Sequence, residues 1–126
     1  MADAKANTII ITSITCNGTS EFSKYNDEVF IIYQADGGLP VRTPLAPQNM
    51  NTQSDPSSNT LHVWDVNLTL SFDHEVLVTL WDQDSTLVQS ASDFLVNFDF
   101  TSAQPPASQS MSNYNGANYT ITAKAA

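Results

Sequence analysis

The stretch His62-Val63-Trp64-Asp65-Val66-Asn67-Leu68-Thr69-Leu70-Ser71-Phe72 decides the fold. Trp64, Val66, Leu68, Leu70 and Phe72 fall on one parity, and Val63, Asp65, Asn67, Thr69 and Ser71 on the other. Successive side chains of a strand point to opposite faces, so this pattern makes one apolar face and one mostly polar face, as in a half-buried strand. A helix would need apolar residues three and four apart, and no window of a dozen residues in the chain has them. Phe94, Val96, Phe98 and Phe100 alternate with Leu95, Asn97 and Asp99, which predicts a second strand over residues 94–100 with the four even positions facing the core. Residues 8–16, 28–34, 75–81 and 118–123 are rich in Ile, Val, Thr and aromatics and add four more, and residues 39–45 a seventh. Asp36-Gly37-Gly38 supplies the positive φ of a hairpin, and Asp73-His74 leaves room only for a tight reversal. The chain therefore reads as all-β, an antiparallel two-sheet β-sandwich of seven to eight strands. Residues 46–60 and 101–117 stay unassigned. Loops longer than ~12–15 residues usually carry a function or move.

A length of 126 residues predicts one domain over residues 1–126. At 41 % hydrophobic the chain is too apolar to be disordered, yet no run approaches the ~18 apolar residues of a membrane-spanning helix. From Met1 to Ile9 there is no basic-then-apolar leader, so a soluble chain is expected. Thirteen acids against four bases give a net charge of −9, which repels phosphate backbones and excludes nucleic acid as a partner. No Lys or Arg occurs between Arg42 and Lys124, while seven acids fall from Asp65 to Asp99. Charged residues are only 13 %, and Ser, Thr, Asn and Gln, more than a third of the chain, solvate the surface instead. Cys16 has no internal disulfide partner and ends a strand, where a small buried thiol is expected. His62 and His74 lie in no metal-ligand spacing. The chain has no Gly-x-Ser-x-Gly, phosphate-loop or dinucleotide fingerprint, so it is not expected to be an enzyme.

The apolar run over residues 76–81 ends in Asp82-Gln83-Asp84, and Asp93-Phe94-Leu95 follows eight residues later. In an extended chain residues i and i+2 point the same way, so Asp82 and Asp84 converge and the loop returns a third acid, Asp93. Three carboxylates at one tip repel one another. A hard cation such as Ca²⁺, which takes six to eight oxygens at ~2.3–2.6 Å, resolves that repulsion. Ordinary strand-end and turn acids, bonded to their local backbone, are the other reading of the same residues.

An apolar strand, Trp81-Asp82-Gln83-Asp84, a polar loop and Ser92-Asp93-Phe94-Leu95 together resemble the third calcium loop of C2 domains. Leu61-His62-Val63-Trp64 and the strand after it are similar to the family's Pro-x-Trp segment and its alternating Asn-x-Thr-Phe-x-Phe strand. Asn26-Asp27-Glu28-Val29-Phe30 resembles the family's Ser-Asp-Pro-Tyr-Val, and Glu21 stands where its first-loop Asp is common. The resemblance covers about residues 8–100. It implies a C2-like sandwich closed by the strand over residues 118–123, with Ca²⁺ held by Asp82, Asp84, Asp93, Asp27 and Glu21. It also implies that Phe22, Leu87 and Val88 are the apolar loop residues that meet a membrane or ligand. Glu21 in place of Asp, and the neutral Ser92 where an acid is frequent, point to modest affinity.

The function these residues imply is a calcium-binding module that docks on a phospholipid surface or a protein partner through its acidic loops. A lectin-like sandwich that binds carbohydrate is the alternative, with Tyr25, Tyr33, Tyr114, Tyr119, Trp64 or Trp81 stacking on sugar rings. A structural or self-assembling β protein is the third.

Overall fold

The structure, a computed structural model, describes residues 7–20, 26–83 and 93–126, Asp93 by its backbone only. Strands β1 (Asn7–Gly18), β2 (Asp27–Ala35), β3 (Val41–Met50), β4 (Val63–Trp64), β5 (Leu68–Phe72), β6 (Glu75–Asp82), β7 (Asp93–Thr101), β8 (Gln109–Ser112) and β9 (Asn118–Ala125) make up two sheets. In one, β4 and β5 pair with one edge of β1, β9 with its other edge, and β8 flanks β9. The other runs β3-β2-β6-β7. All these strand pairings are antiparallel. The only helical turn among the described residues is a 3-10 turn at Pro56–Ser58, capped by the Asp55 side chain, which accepts from the Ser57 N–H. Between the sheets Ile11, Ile14 and Ile121 meet Val29, Ile31, Val78, Leu80 and Phe98, all essentially inaccessible to water. At roughly 25 cal/mol per Å² of apolar surface buried, this layer is the main force holding the sandwich together.

Nine strands are present among the described residues rather than seven or eight, and the reasons are local. The alternation over residues 62–72 persists in burial, with Trp64, Val66 and Leu68 half-buried and Leu70 and Phe72 buried, but the strand is cut in two. β4 pairs with Ile14 and Thr15, and β5 with residues 7–11. Between them β1 shifts register against β9 at residues 11–13, and Asn67 steps across the break in the left-handed region at φ 48°. Its N–H reaches the Thr12 carbonyl at 3.4 Å. Asn is among the few L-residues that enter that region readily.

A second bulge corrects the reading of residues 94–100. The β6–β7 register slips between Leu80, paired with Val96, and Trp81, paired with Phe94, which leaves Leu95 as the extra residue. Leu95 turns into the core and Phe94 turns out, 38 % exposed, in a T-shaped contact with Trp81, ring centroids 5.4 Å apart. The tight Asp73-His74 reversal joins β5 of one sheet to β6 of the other. Of the unassigned stretches, residues 46–50 continue β3, and residues 109–112 form β8.

These pairings place residues 19–20, 26, 51–62, 83 and 113–117 at one end of the sandwich. Asp27 is level with Met50, Val29 with Asp82, Asp82 with Asp93, and Gly18 with Asn118. The connections at residues 36–40, 73–74 and 102–108 lie at the opposite end.

Candidate metal centre

Asp27 opens β2 and is fully inaccessible to water. A carboxylate persists in such a place only if hydrogen-bond donors replace its hydration. The Ser20 N–H donates to both its oxygens at 3.1 Å, and the Ser20 hydroxyl donates to Oδ1 at 2.6 Å. From across the core, the Tyr119 hydroxyl donates to Oδ2 at 2.5 Å. Tyr119 lies on β9, next to Cys16 in the β1–β9 register, and both are buried. Burial, and after it the Asp27 charge, holds the Tyr119 phenol far above its ordinary range, so it stays a proton donor. Burial likewise pushes the Cys16 thiol up to about 11. A buried, protonated thiol is a poor metal ligand.

Asp82 closes β6 beside this cluster. Its Oδ1 accepts the Glu28 N–H at 2.7 Å, and its Oδ2 lies 3.5 Å from the Ser20 hydroxyl. The hydroxyl has one proton, and the shorter contact commits it to Asp27. Asp93 sits opposite Asp82 in the β6–β7 register, so the stem of the third loop begins and ends here. On the other side of Asp27, the Asn26 amide donates to Thr60 Oγ1 at 3.0 Å and the Asn51 amide to Asn26 Oδ1 at 2.8 Å, which ties the first loop to residues 51–60.

The structure thus brings Asp27 and Asp82 to either side of Ser20 and sets the Asp93 backbone level with Asp82. Glu21, Phe22, Asp84, Leu87 and Val88 lie outside the described residues, as does the Asp93 side chain. Among the described residues no three His, Cys, Asp or Glu side chains are grouped to hold a metal. The donors present are carboxylate and hydroxyl oxygens, a set that fits a hard cation and not a thiophilic one.

No family model matches the chain, and no curated protein does. In fold it is similar to human GIVD cytosolic phospholipase A2, solved with a methyl γ-linolenyl fluorophosphonate inhibitor and terbium chloride. The TM-score is 0.50 at 11 % identity, covering 100 % of this chain and 18 % of that one. The fold is C2-like. A second structure of the human phospholipase, with the fluorophosphonate, gives a TM-score of 0.49 at 12 % identity over 94 % of this chain and 17 % of that one. The chain spans about a fifth of the phospholipase's length, and the likeness is one of fold alone.

Ser20 escaped the sequence reading, and Tyr119 entered it only as a sugar-stacking candidate. Ser20 gives no signal. Tyr119 does, because a tyrosine on the inward parity of a closing strand needs a partner for its hydroxyl. As a sugar-stacking residue Tyr119 is a correction, since its ring is buried. Tyr114 is 96 % exposed, Tyr33 is half-buried, and Tyr25 lies outside the described residues. Trp64 packs against the core, and Trp81 is half-buried with its Nε1–H on Thr79 Oγ1 at 2.9 Å.

Proposed function

We propose that this chain is a calcium-binding module that docks on a phospholipid surface or protein partner through the acidic loops at one end of the sandwich. The observation that carries the reading is the placement of Asp82 at Ser20, with the Asp93 backbone beside it, so that the root of the first loop and both stems of the third converge. Asp82, Asp84 and Asp93 supply the negative charge, and Glu21 adds to it from the first loop. Phe22, Leu87 and Val88 are the apolar contacts made once the ion is in place. With a net charge of −9 the chain is repelled by an anionic headgroup, and Ca²⁺ at the loop end reverses that locally. The human phospholipase of similar fold was solved with terbium chloride, and terbium shares calcium's preference for hard oxygen ligands.

The test is a melting curve with calcium, with magnesium and with chelator. Calcium is expected to stabilise the protein, with a dissociation constant of about 10⁻⁴–10⁻³ M, the range of extracellular modules. At ~100 times that constant the gain is about 2.7 kcal/mol. Magnesium, which demands near-ideal octahedral geometry, is expected to do little. Asp84→Asn is expected to abolish most of the shift and to raise the ion-free stability slightly by relieving repulsion. If millimolar calcium leaves the wild type unshifted, the acids are turn residues, and the exposed Tyr114 makes a glycan array the next experiment.

A further inference from the structure

We propose that Asp27 is not a cation ligand but the centre of a buried latch, Tyr119–Asp27–Ser20, that fixes the root of the first loop whether or not an ion is bound. The inference rests on the cation reading for its meaning but on separate geometry for its evidence. In an ionised carboxylate the two oxygens offer about four acceptor positions. In Asp27 the Ser20 hydroxyl donates to Oδ1, the Tyr119 hydroxyl to Oδ2, and the Ser20 N–H is shared between both oxygens, so three hydrogens surround the carboxylate. No part of the residue reaches solvent. A cation would have to displace one of these donors and enter a dry layer beneath Ser20. Asp82, at the end of β6, is only half-buried, and its Oδ1 accepts the Glu28 N–H.

The topology gives the latch its purpose. Ser20 follows β1, Asp27 opens β2 and Tyr119 belongs to β9, so three hydrogen-bonding residues join the two sheets at the end where the loops emerge. The sheets otherwise meet through apolar packing and through the Gln109 and Asn113 amides on β7 carbonyls, and only the latch does so with a buried charge among the described residues. Both polar hydrogens of Ser20, on N and on Oγ, are directed at Asp27, so the residue preceding Glu21 is held in place before any ion arrives. Such preorganisation reduces the ordering that binding must otherwise impose. The latch anchors the root of the first loop at Ser20, next to Glu21.

The experiment compares melting of the full chain in chelator and in millimolar calcium for the wild type, Tyr119→Phe, Asp27→Asn and Asp82→Asn. The latch requires Tyr119→Phe and Asp27→Asn to melt several degrees lower in chelator while keeping the wild-type calcium increment. Asp82→Asn is expected to do the reverse, holding its baseline and losing the increment. If Asp27→Asn loses the increment while Tyr119→Phe keeps it, Asp27 is a ligand and the proposal is overturned. If Asp27→Asn does not fold, Tyr119→Phe, which keeps the ring, decides alone, and a baseline equal to the wild type overturns the latch. Should the wild type show no calcium increment, the cation reading fails, and the chelator baselines still judge the latch.

Discussion

Two aspartates at opposite ends of the sandwich use the same chemistry in opposite surroundings. Asp27 is buried and accepts from Ser20, seven residues away, and from a phenol 92 residues away. Asp36 is exposed, sits in the left-handed region at φ 53°, and accepts three successive backbone N–H groups from the sheet-to-sheet reversal. These come from Asp73 at 2.8 Å, His74 at 2.7 Å and Glu75 at 3.0 Å. The hydrogen bonds from Asp73, Glu75 and His74 hold its carboxyl below the usual 3.8. Three described hydrogens reach each carboxylate, yet only at Asp27 does losing a donor strand a charge away from water. Burial, more than donor count, therefore separates the two ends.

The largest effects are expected at the loop end. Asp27→Ala would leave the Tyr119 hydroxyl and both Ser20 donors in a dry site, at a loss on the order of 3 kcal/mol in chemical denaturation. Tyr119→Phe removes one bond to a charged acceptor, for about 1.5–3 kcal/mol. Losses below ~1 kcal/mol for both would remove the contrast with Asp36. Asp36→Asn is expected to destabilise less and to show its effect through pH. Because the folded pKa of Asp36 is depressed, its contribution is present above about 3.8 and is lost as pH falls through the folded value. The acid limb of a plot of Tm against pH should therefore be shallower in Asp36→Asn than in the wild type.

Glu75 sharpens the comparison further, because it neighbours the Asp36 clamp and has the opposite sign. A hydrogen bond to Asp99, then the Asp99 charge, raises its pKa above 4.5. A raised carboxyl contributes stability below its unfolded value and loses it as pH rises through the folded one. Glu75→Gln is thus expected to raise Tm slightly at pH 7 and to leave it unchanged near pH 4. The smallest signal concerns Cys16, whose buried thiol at about 11 should resist a thiol reagent at pH 8 until the protein unfolds.

The sequence reading reached the fold because residues 62–72 carry their periodicity openly, and burial follows it residue by residue. What it missed depends on partners. The break at Asn67 answers a register shift in β1, and the outward turn of Phe94 answers a bulge against β6, so neither is written in its own segment. β8 is polar and short, and is a strand because β9 is beside it. From that region the Gln109 and Asn113 amides cap the Asp99 and Leu95 carbonyls on the outer edge of β7. At the candidate site the local pattern pointed to Asp82 and the family resemblance to Asp27. Whether an acid faces solvent or a buried phenol depends on β9, about ninety residues further along the chain, and no local pattern encodes it.

Terbium titration tests the central claim most directly. Trp81 immediately precedes Asp82 at the end of β6, whereas Trp64 belongs to the other sheet. Excitation of the tryptophans should yield saturable terbium emission that calcium displaces, magnesium does not, and Asp82→Asn removes. Absent emission, or emission indifferent to both calcium and Asp82→Asn, would contradict a cation site at this end of the sandwich.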